Sequence, residues 1–152
     1  MRTIEQILTL WSSSLMTSDE VVEWARHEVE RLDAPAMELF DLLSYGPEKC
    51  LRSMAEFSPR PTPLTFNDEF CIRASELSLA SDEAVLTFVM WASRSCMGED
   101  VSDPLVSLSY HLDHLLNDCQ DEVAALALVR QNLPPMLPHC AVVAAPFLFD
   151  AP

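Results

Sequence analysis

The chain has 152 residues, 49% of them hydrophobic, and a net charge of −15 from 24 acidic and 9 basic side chains. This size and apolar content fit one folded domain with its own core and exclude an intrinsically disordered chain. The acidity disfavours direct binding to nucleic acid or anionic membranes and favours a basic partner. Only Gly46 and Gly98 are glycines, which excludes glycine-rich phosphate loops and sheets built on tight glycine hairpins.

The five cysteines are scattered without a C-x-x-C pair. This spacing excludes a zinc knuckle and a disulfide framework and is typical of small core residues in a reducing compartment. The N-terminus lacks the basic and apolar regions of a signal peptide, and no apolar run reaches the roughly 20 residues of a membrane span. We therefore expect a cytoplasmic protein that does not bind membranes.

Apolar residues at helical spacing, together with cap signals, predict an all-α bundle of about six to eight helices. In chain order, the predicted helices cover residues 3–14, 17–32, 35–46, 47–54, 67–77, 81–98, 102–119 and 121–131. Thr17 and Glu20 have the spacing of a capping box, and Asn67 or Asp68 is expected to cap the fifth helix. The helix over 102–119 is predicted to bury a leucine stripe that ends at Cys119.

Proline marks the two segments that are not predicted to be helical. Three alternating prolines in residues 58–64 favour an extended loop between two helical halves. Because neither half is large enough to fold comfortably alone, we expect a single domain over residues 1–152. Pro134, Pro135 and Pro138 are expected to end the helices, so that the apolar tail, 132–152, lies extended across the bundle. Docking of this tail onto a second chain is the alternative.

Seven acidic residues are candidates for contact with a partner. Asp113 and Asp118 lie in the second half of the predicted helix 102–119, where the helix macrodipole disfavours negative charge, and no lysine or arginine is near in sequence. One cluster is expected at each end of this helix, roughly 20 Å apart at 1.5 Å per residue. The seven are Glu99, Asp100, Asp103, Asp113, Asp118, Asp121 and Glu122. A solvated surface without a partner is the alternative interpretation.

His111, His114 and Asp118 fall within about one quadrant of the same predicted helix, so they are the candidate ligands for a transition metal. No second helix supplies the E-x-x-H pair of di-metal bundles. Nucleophilic catalysis lacks a G-x-S-x-G motif, and the neighbouring side chains of His139 and Cys140 are expected to diverge. We therefore expect a protein that is not an enzyme and has no cofactor. A metal-binding or enzymatic protein centred on His111 and His114 is the third hypothesis.

The segment from Trp11 to Ala25, which contains the capping pattern of Thr17 and Glu20, resembles the opening of small helical bacterial immunity proteins. Those proteins neutralise polymorphic or contact-dependent growth-inhibition toxins. The resemblance implies a bacterial, cytoplasmic protein that binds and blocks one cognate toxin domain. Many such toxins are basic nucleases, which suits the charge of −15. A helical adaptor or self-associating module without catalysis is the alternative function.

Overall fold

The structure, a computed structural model, describes residues 2–148. Every regular element in this range is helical, which confirms the predicted all-α class and its six to eight helices. The α-helices are α1 (Ile4–Ser12), α2 (Ser18–Arg31), α3 (Met37–Ser53), α4 (Phe66–Ser75), α5 (Asp82–Ser95), α6 (Pro104–Asp113), α7 (Glu122–Asn132) and α8 (Leu137–Ala144). A π-helical turn, His114–Asp118, follows α6, and a 3-10 turn, Pro134–Met136, precedes α8.

The described chain divides into two compact units, unit 1 up to Leu64 and unit 2 over Thr65–Leu148. The boundary falls at the end of the loop 58–64. This loop is not helical, as its alternating prolines predict. The single domain expected over residues 1–152 stays a prediction.

Unit 1 is built from α1, α2 and α3. Capping boxes open α1 at Thr3 and α2 at Thr17, so the predicted pairing of Thr17 with Glu20 is confirmed. The loop before unit 2 is held against α1, because the Thr62 N–H donates a hydrogen bond of 2.9 Å to Oγ1 of Thr9. The core contains fully buried side chains from all three helices, namely Ile7, Leu8, Val21, Ala25 and Leu42.

Helix α3 is interrupted within its own length. Gly46 adopts a φ of +74°, in the left-handed region that glycine accepts readily, and Pro47 restarts the helix directly after it. The predicted helix end at Gly46 and new start at Pro47 are therefore confirmed.

Unit 2 places α5 against α4, α6 and α7, and α8 against α4. Aromatic rings join α4 to α5: Phe70 meets Phe88 edge-on at 5.1 Å between ring centroids, and Phe66 stacks on Trp91 at 5.6 Å. Such offset and edge-on arrangements stabilise aromatic pairs beyond the area they bury. The guanidinium of Arg73 lies over the Trp91 ring at 4.8 Å and closes this cluster on its outer side.

The N-cap of α4 differs from the prediction. Thr65, rather than Asn67 or Asp68, caps the helix, and Asp68 completes a capping box with it. The Thr65 side chain accepts from the Asp68 N–H at 3.2 Å, while the Asp68 carboxylate accepts from the Thr65 N–H at 3.0 Å. The reciprocal bonds satisfy two backbone donors at once, which a cap at Asn67 would not do.

The prediction of an extended chain from residue 132 onward is wrong for Asn132, which ends α7, and for residues 134–144, which form the 3-10 turn and α8. Pro138 lies in the first turn of α8, where its missing N–H costs no hydrogen bond. The segment is nevertheless packed, as expected for a tail that covers the bundle, because Cys140 and Ala144 are fully buried. Residues 149–152 of the predicted tail lie outside the described residues.

Candidate acidic interaction surface

The first cluster of candidate acids lies between α5 and α6. Glu99 and Asp100 are exposed, while Asp103 is half-buried. Asp103 is the N-cap of α6: its Oδ1 accepts from the Leu105 N–H at 2.8 Å, and its Oδ2 accepts from the Asn67 side chain at 2.6 Å. Both oxygens of Asp103 are therefore used within the fold, and Glu99 and Asp100 are the acids of this cluster that face solvent.

Asp100 also has a local role. Its Oδ1 accepts from the Ser102 N–H at 2.9 Å. Backbone and side-chain hydrogen bonds from Ser102 hold the pKa of Asp100 below its usual value. The negative charge of this exposed carboxylate is therefore secured by the loop itself.

The second cluster surrounds the π-helical turn. Asp113 is half-buried at the end of α6, and its Oδ1 accepts from the Asn117 side chain at 2.6 Å. Asp118 and Glu122 are exposed. Asp121 is an exposed N-cap of α7, since its Oδ1 accepts from the Ala124 N–H at 2.9 Å. The turn thus gathers the four predicted acids of this cluster into one short stretch of chain.

A hydrogen bond ties the first cluster to α6. The Tyr110 hydroxyl accepts from the Gly98 N–H at 3.1 Å, and Glu99 is the next residue. Asp113 follows Tyr110 at the i,i+3 position, where helical side chains are neighbours. Burial raises the pKa of the Cys96 thiol, and the charge of Asp113 raises it further. The hydrogen bond places the start of the loop after α5 against Tyr110, one helical turn before Asp113.

Cations are absent from this part of the sequence, which has no lysine or arginine between Arg94 and Arg130. Arg130 bonds to the Asp82 carboxylate and, at 2.9 Å, to the Leu79 carbonyl. The basic side chain beside a candidate acid is His114, which faces Asp118 and compensates its charge only when the ring is protonated. The two clusters of seven candidate acids, hereafter the acidic surface, therefore keep most of their negative charge uncompensated.

The histidines do not assemble with Asp118 as a metal site. Across residues 2–148 no group of three or more histidine, cysteine, aspartate or glutamate side chains could hold a metal ion. Hydrogen bonding changes from i→i+4 to i→i+5 at His114, so the regular helical spacing behind the predicted metal ligands does not continue to Asp118. His114 Nδ1 instead lies 2.9 Å from Asp118 Oδ2.

Cys119 is exposed, which corrects the expectation that it ends a buried stripe. Helical periodicity could not reveal this, because the π-helical turn rotates the chain away from the regular path. The other four cysteines are buried, as expected for core residues. Burial, followed by a hydrogen bond with the Cys140 thiol, raises the pKa of Cys71 to about 12.

None of the described helices is both long and apolar enough to cross a bilayer. No family model matches the chain, and neither a curated protein nor a solved structure is found to be similar to it.

Proposed function

We propose that this chain is an immunity or antitoxin-like inhibitor, which binds and neutralises a cognate basic toxin domain in the cytoplasm through the acidic surface. The observation that carries the proposal is the set of exposed carboxylates between Glu99 and Glu122, in a stretch without lysine or arginine. The likeness of residues 11–25 to bacterial immunity proteins agrees with this function. A nuclease is the class of toxin that the charge fits best.

Helix capping explains only some of these acids. Asp103 and Asp121 cap helices, and the positive end of a helix dipole favours them there. Asp113 and Asp118 lie where α6 ends, and the dipole disfavours negative charge at that end. Glu99 adds a further exposed charge. Acids that lie against local electrostatics are the ones expected to serve a partner.

An acidic surface would inhibit a nuclease by occupying the cleft that binds phosphates. Carboxylates can take the places of phosphate oxygens, because both accept hydrogen bonds from arginine and lysine. Complementary charge also accelerates diffusional encounter and excludes partners of the same sign. The same attraction is weakened by salt, since exposed charges are screened within about 8 Å at physiological ionic strength.

The partner is sought by affinity capture from a lysate of the source organism, with tagged protein at low and at high salt. The proposal predicts one basic protein that is retained at low salt and released by high salt. Retention of an acidic or neutral protein that is indifferent to salt would contradict the electrostatic mechanism.

Charge variants then test the surface itself. The triple variant Glu99→Gln, Asp118→Asn and Glu122→Gln removes three exposed charges from the acidic surface. Its matched control, Asp19→Asn, Glu30→Gln and Glu56→Gln, removes three exposed charges from unit 1. We expect the first variant to slow association with the captured partner by about tenfold or more at low salt, and the control to change the rate far less. Equal rates for the two variants would show that the acidic surface is not the contact.

An adaptor without inhibitory activity is the second candidate, and exposed apolar side chains favour it. On α3, Met37, Phe40 and Tyr45 are 70%, 40% and 50% exposed. Large exposed apolar side chains that lie near one another are typical of protein contacts. The substitutions Met37→Ser and Phe40→Ser distinguish the two functions, since an adaptor would lose its partner and the proposed inhibitor would retain it.

A further inference from the structure

The π-helical turn His114–Asp118 brings His114 and Cys119 together, two residues that a regular α-helix keeps apart. In an α-helix, residues five apart point about 140° away from each other. Here the Cys119 N–H donates to the His114 carbonyl at 3.0 Å, so the two residues are stacked by an i→i+5 hydrogen bond. Such turns are rare and are frequently found at functional sites.

The side chains of Cys119, His114 and Asp118 contact one another in a row. Cys119 Sγ lies 3.5 Å from Nε2 of His114, and Nδ1 of the same ring lies 2.9 Å from Oδ2 of Asp118. Because a carboxylate only accepts, Nδ1 carries the ring proton and Nε2 is left as the acceptor for the thiol proton. A thiol, a base and a carboxylate that orients the base is the arrangement that activates cysteine nucleophiles.

All three groups are accessible. Cys119 is exposed, whereas the other four cysteines are buried, and the side chains of His114 and Asp118 are 63% and 69% exposed. Asp113, Asp121 and Glu122 lie nearby in sequence, so thiolate formation depends on the base and not on a positive surrounding. Because all three groups are exposed, the arrangement suits a small reagent that approaches from solvent.

We infer that Cys119 is a site of thiol–disulfide exchange with low-molecular-weight disulfides, in which His114 acts as the base and Asp118 positions the His114 ring. The thiol proton passes to Nε2 of His114, and the thiolate attacks one sulfur of the disulfide. A new S–S bond forms as the old one breaks, and the leaving thiolate takes the proton from His114. Cys119 is oxidised to a mixed disulfide while one thiol of the reagent is released. This inference does not depend on the proposed function.

The experiment uses the reduced full chain and bis(2-hydroxyethyl) disulfide, an uncharged reagent that the acidic surface does not repel. Intact-mass spectrometry follows the reaction, and peptide mapping locates the modified cysteine. We expect Cys119 to react first and His114→Gln to slow its modification by about tenfold or more. The matched control is His111→Gln, which removes an exposed imidazole from α6 and is expected to react at the wild-type rate.

Two outcomes would overturn the inference: first modification at another cysteine, or equal rates for the His114 and His111 variants. In denaturant the difference between wild type and His114→Gln should vanish at Cys119, and a persistent difference would show that the folded turn is not its cause. The role of Asp118 is tested separately, since Asp118→Glu should recover rate that Asp118→Ala loses. If His114→Gln does not fold, the comparison of Asp118→Glu with Asp118→Ala tests the inference in its place. Equal rates for these two variants would contradict both the positioning role of Asp118 and the inference.

Discussion

At the scale of single residues, short-range hydrogen bonds at helix starts are the most predictable part of this protein. The spacing of Thr17 and Glu20 predicts a capping box, and the structure contains it: Glu20 Oε2 accepts from the Thr17 N–H at 2.7 Å and from its hydroxyl at 2.9 Å. These two bonds, the backbone one first, hold the pKa of Glu20 below its usual value. A cap involves neighbours only, although several polar residues can compete for it: the cap of α4 is Thr65 and not Asn67 or Asp68.

The substitution Thr17→Ala tests this cap. We expect it to lower the free energy of unfolding by about 1 kcal/mol near neutral pH, because the Glu20 N–H loses its side-chain acceptor. Folding lowers the pKa of Glu20, so the stability that its charge contributes is present above the unfolded pKa and is lost as the pH falls through the folded one. The variant keeps the backbone N–H that donates to Glu20 and loses the hydroxyl that donates to it, so only the part of the deficit that comes from this hydroxyl bond should shrink in acid.

Chemical denaturation at several pH values measures this deficit, and Thr62→Ala, an exposed threonine of the loop 58–64, is the control. A variant as stable as this control at neutral pH would show that the capping box contributes nothing to stability.

At the scale of elements, sequence predicts where helices begin better than how they end. The prolines 134, 135 and 138 resemble a stop signal, but Pro138 occupies the first turn of α8, and only packing against α4 reveals the difference. Likewise, the leucine spacing of residues 105–115 fits one continuous helix, and it does not specify the change to i→i+5 bonding at His114. The sequence indicates the seven acids, of which Asp103 and Asp113 are half-buried in the structure, and it does not reveal the contact of Cys119 with His114.

The packing of helix α8 can be tested by substitution at a buried and at an exposed position. Ala144 is fully buried and Val142 is 75% exposed in the same helix. We expect Ala144→Asp to lower the free energy of unfolding by about 3 kcal/mol or more, because it buries a charge without a partner. Val142→Asp introduces the same side chain in solvent and should cost far less. Thermal unfolding compares the two, and equal losses would indicate that α8 does not pack as described.

At the scale of the whole molecule, the charge of −15 is the property that a partner would meet first. The fold and the net charge lead to separate conclusions, because net charge affects association and does not determine the architecture. The all-α class follows from periodicity and caps, while the proposed function depends on the acidic surface and on a basic partner. The decisive property of that partner is whether binding stops its activity.

The measurement that tests the proposed inhibition most directly is a titration of the captured partner's toxic or enzymatic activity with the purified chain. An inhibitor predicts that activity falls in proportion to added chain and is abolished near equimolar amounts. Neutralising Glu99, Asp118 and Glu122 should move this end point to higher concentrations at physiological salt, because the complex forms more slowly and is weaker. Full activity in the presence of an excess of bound chain would contradict the account and leave an adaptor as the function.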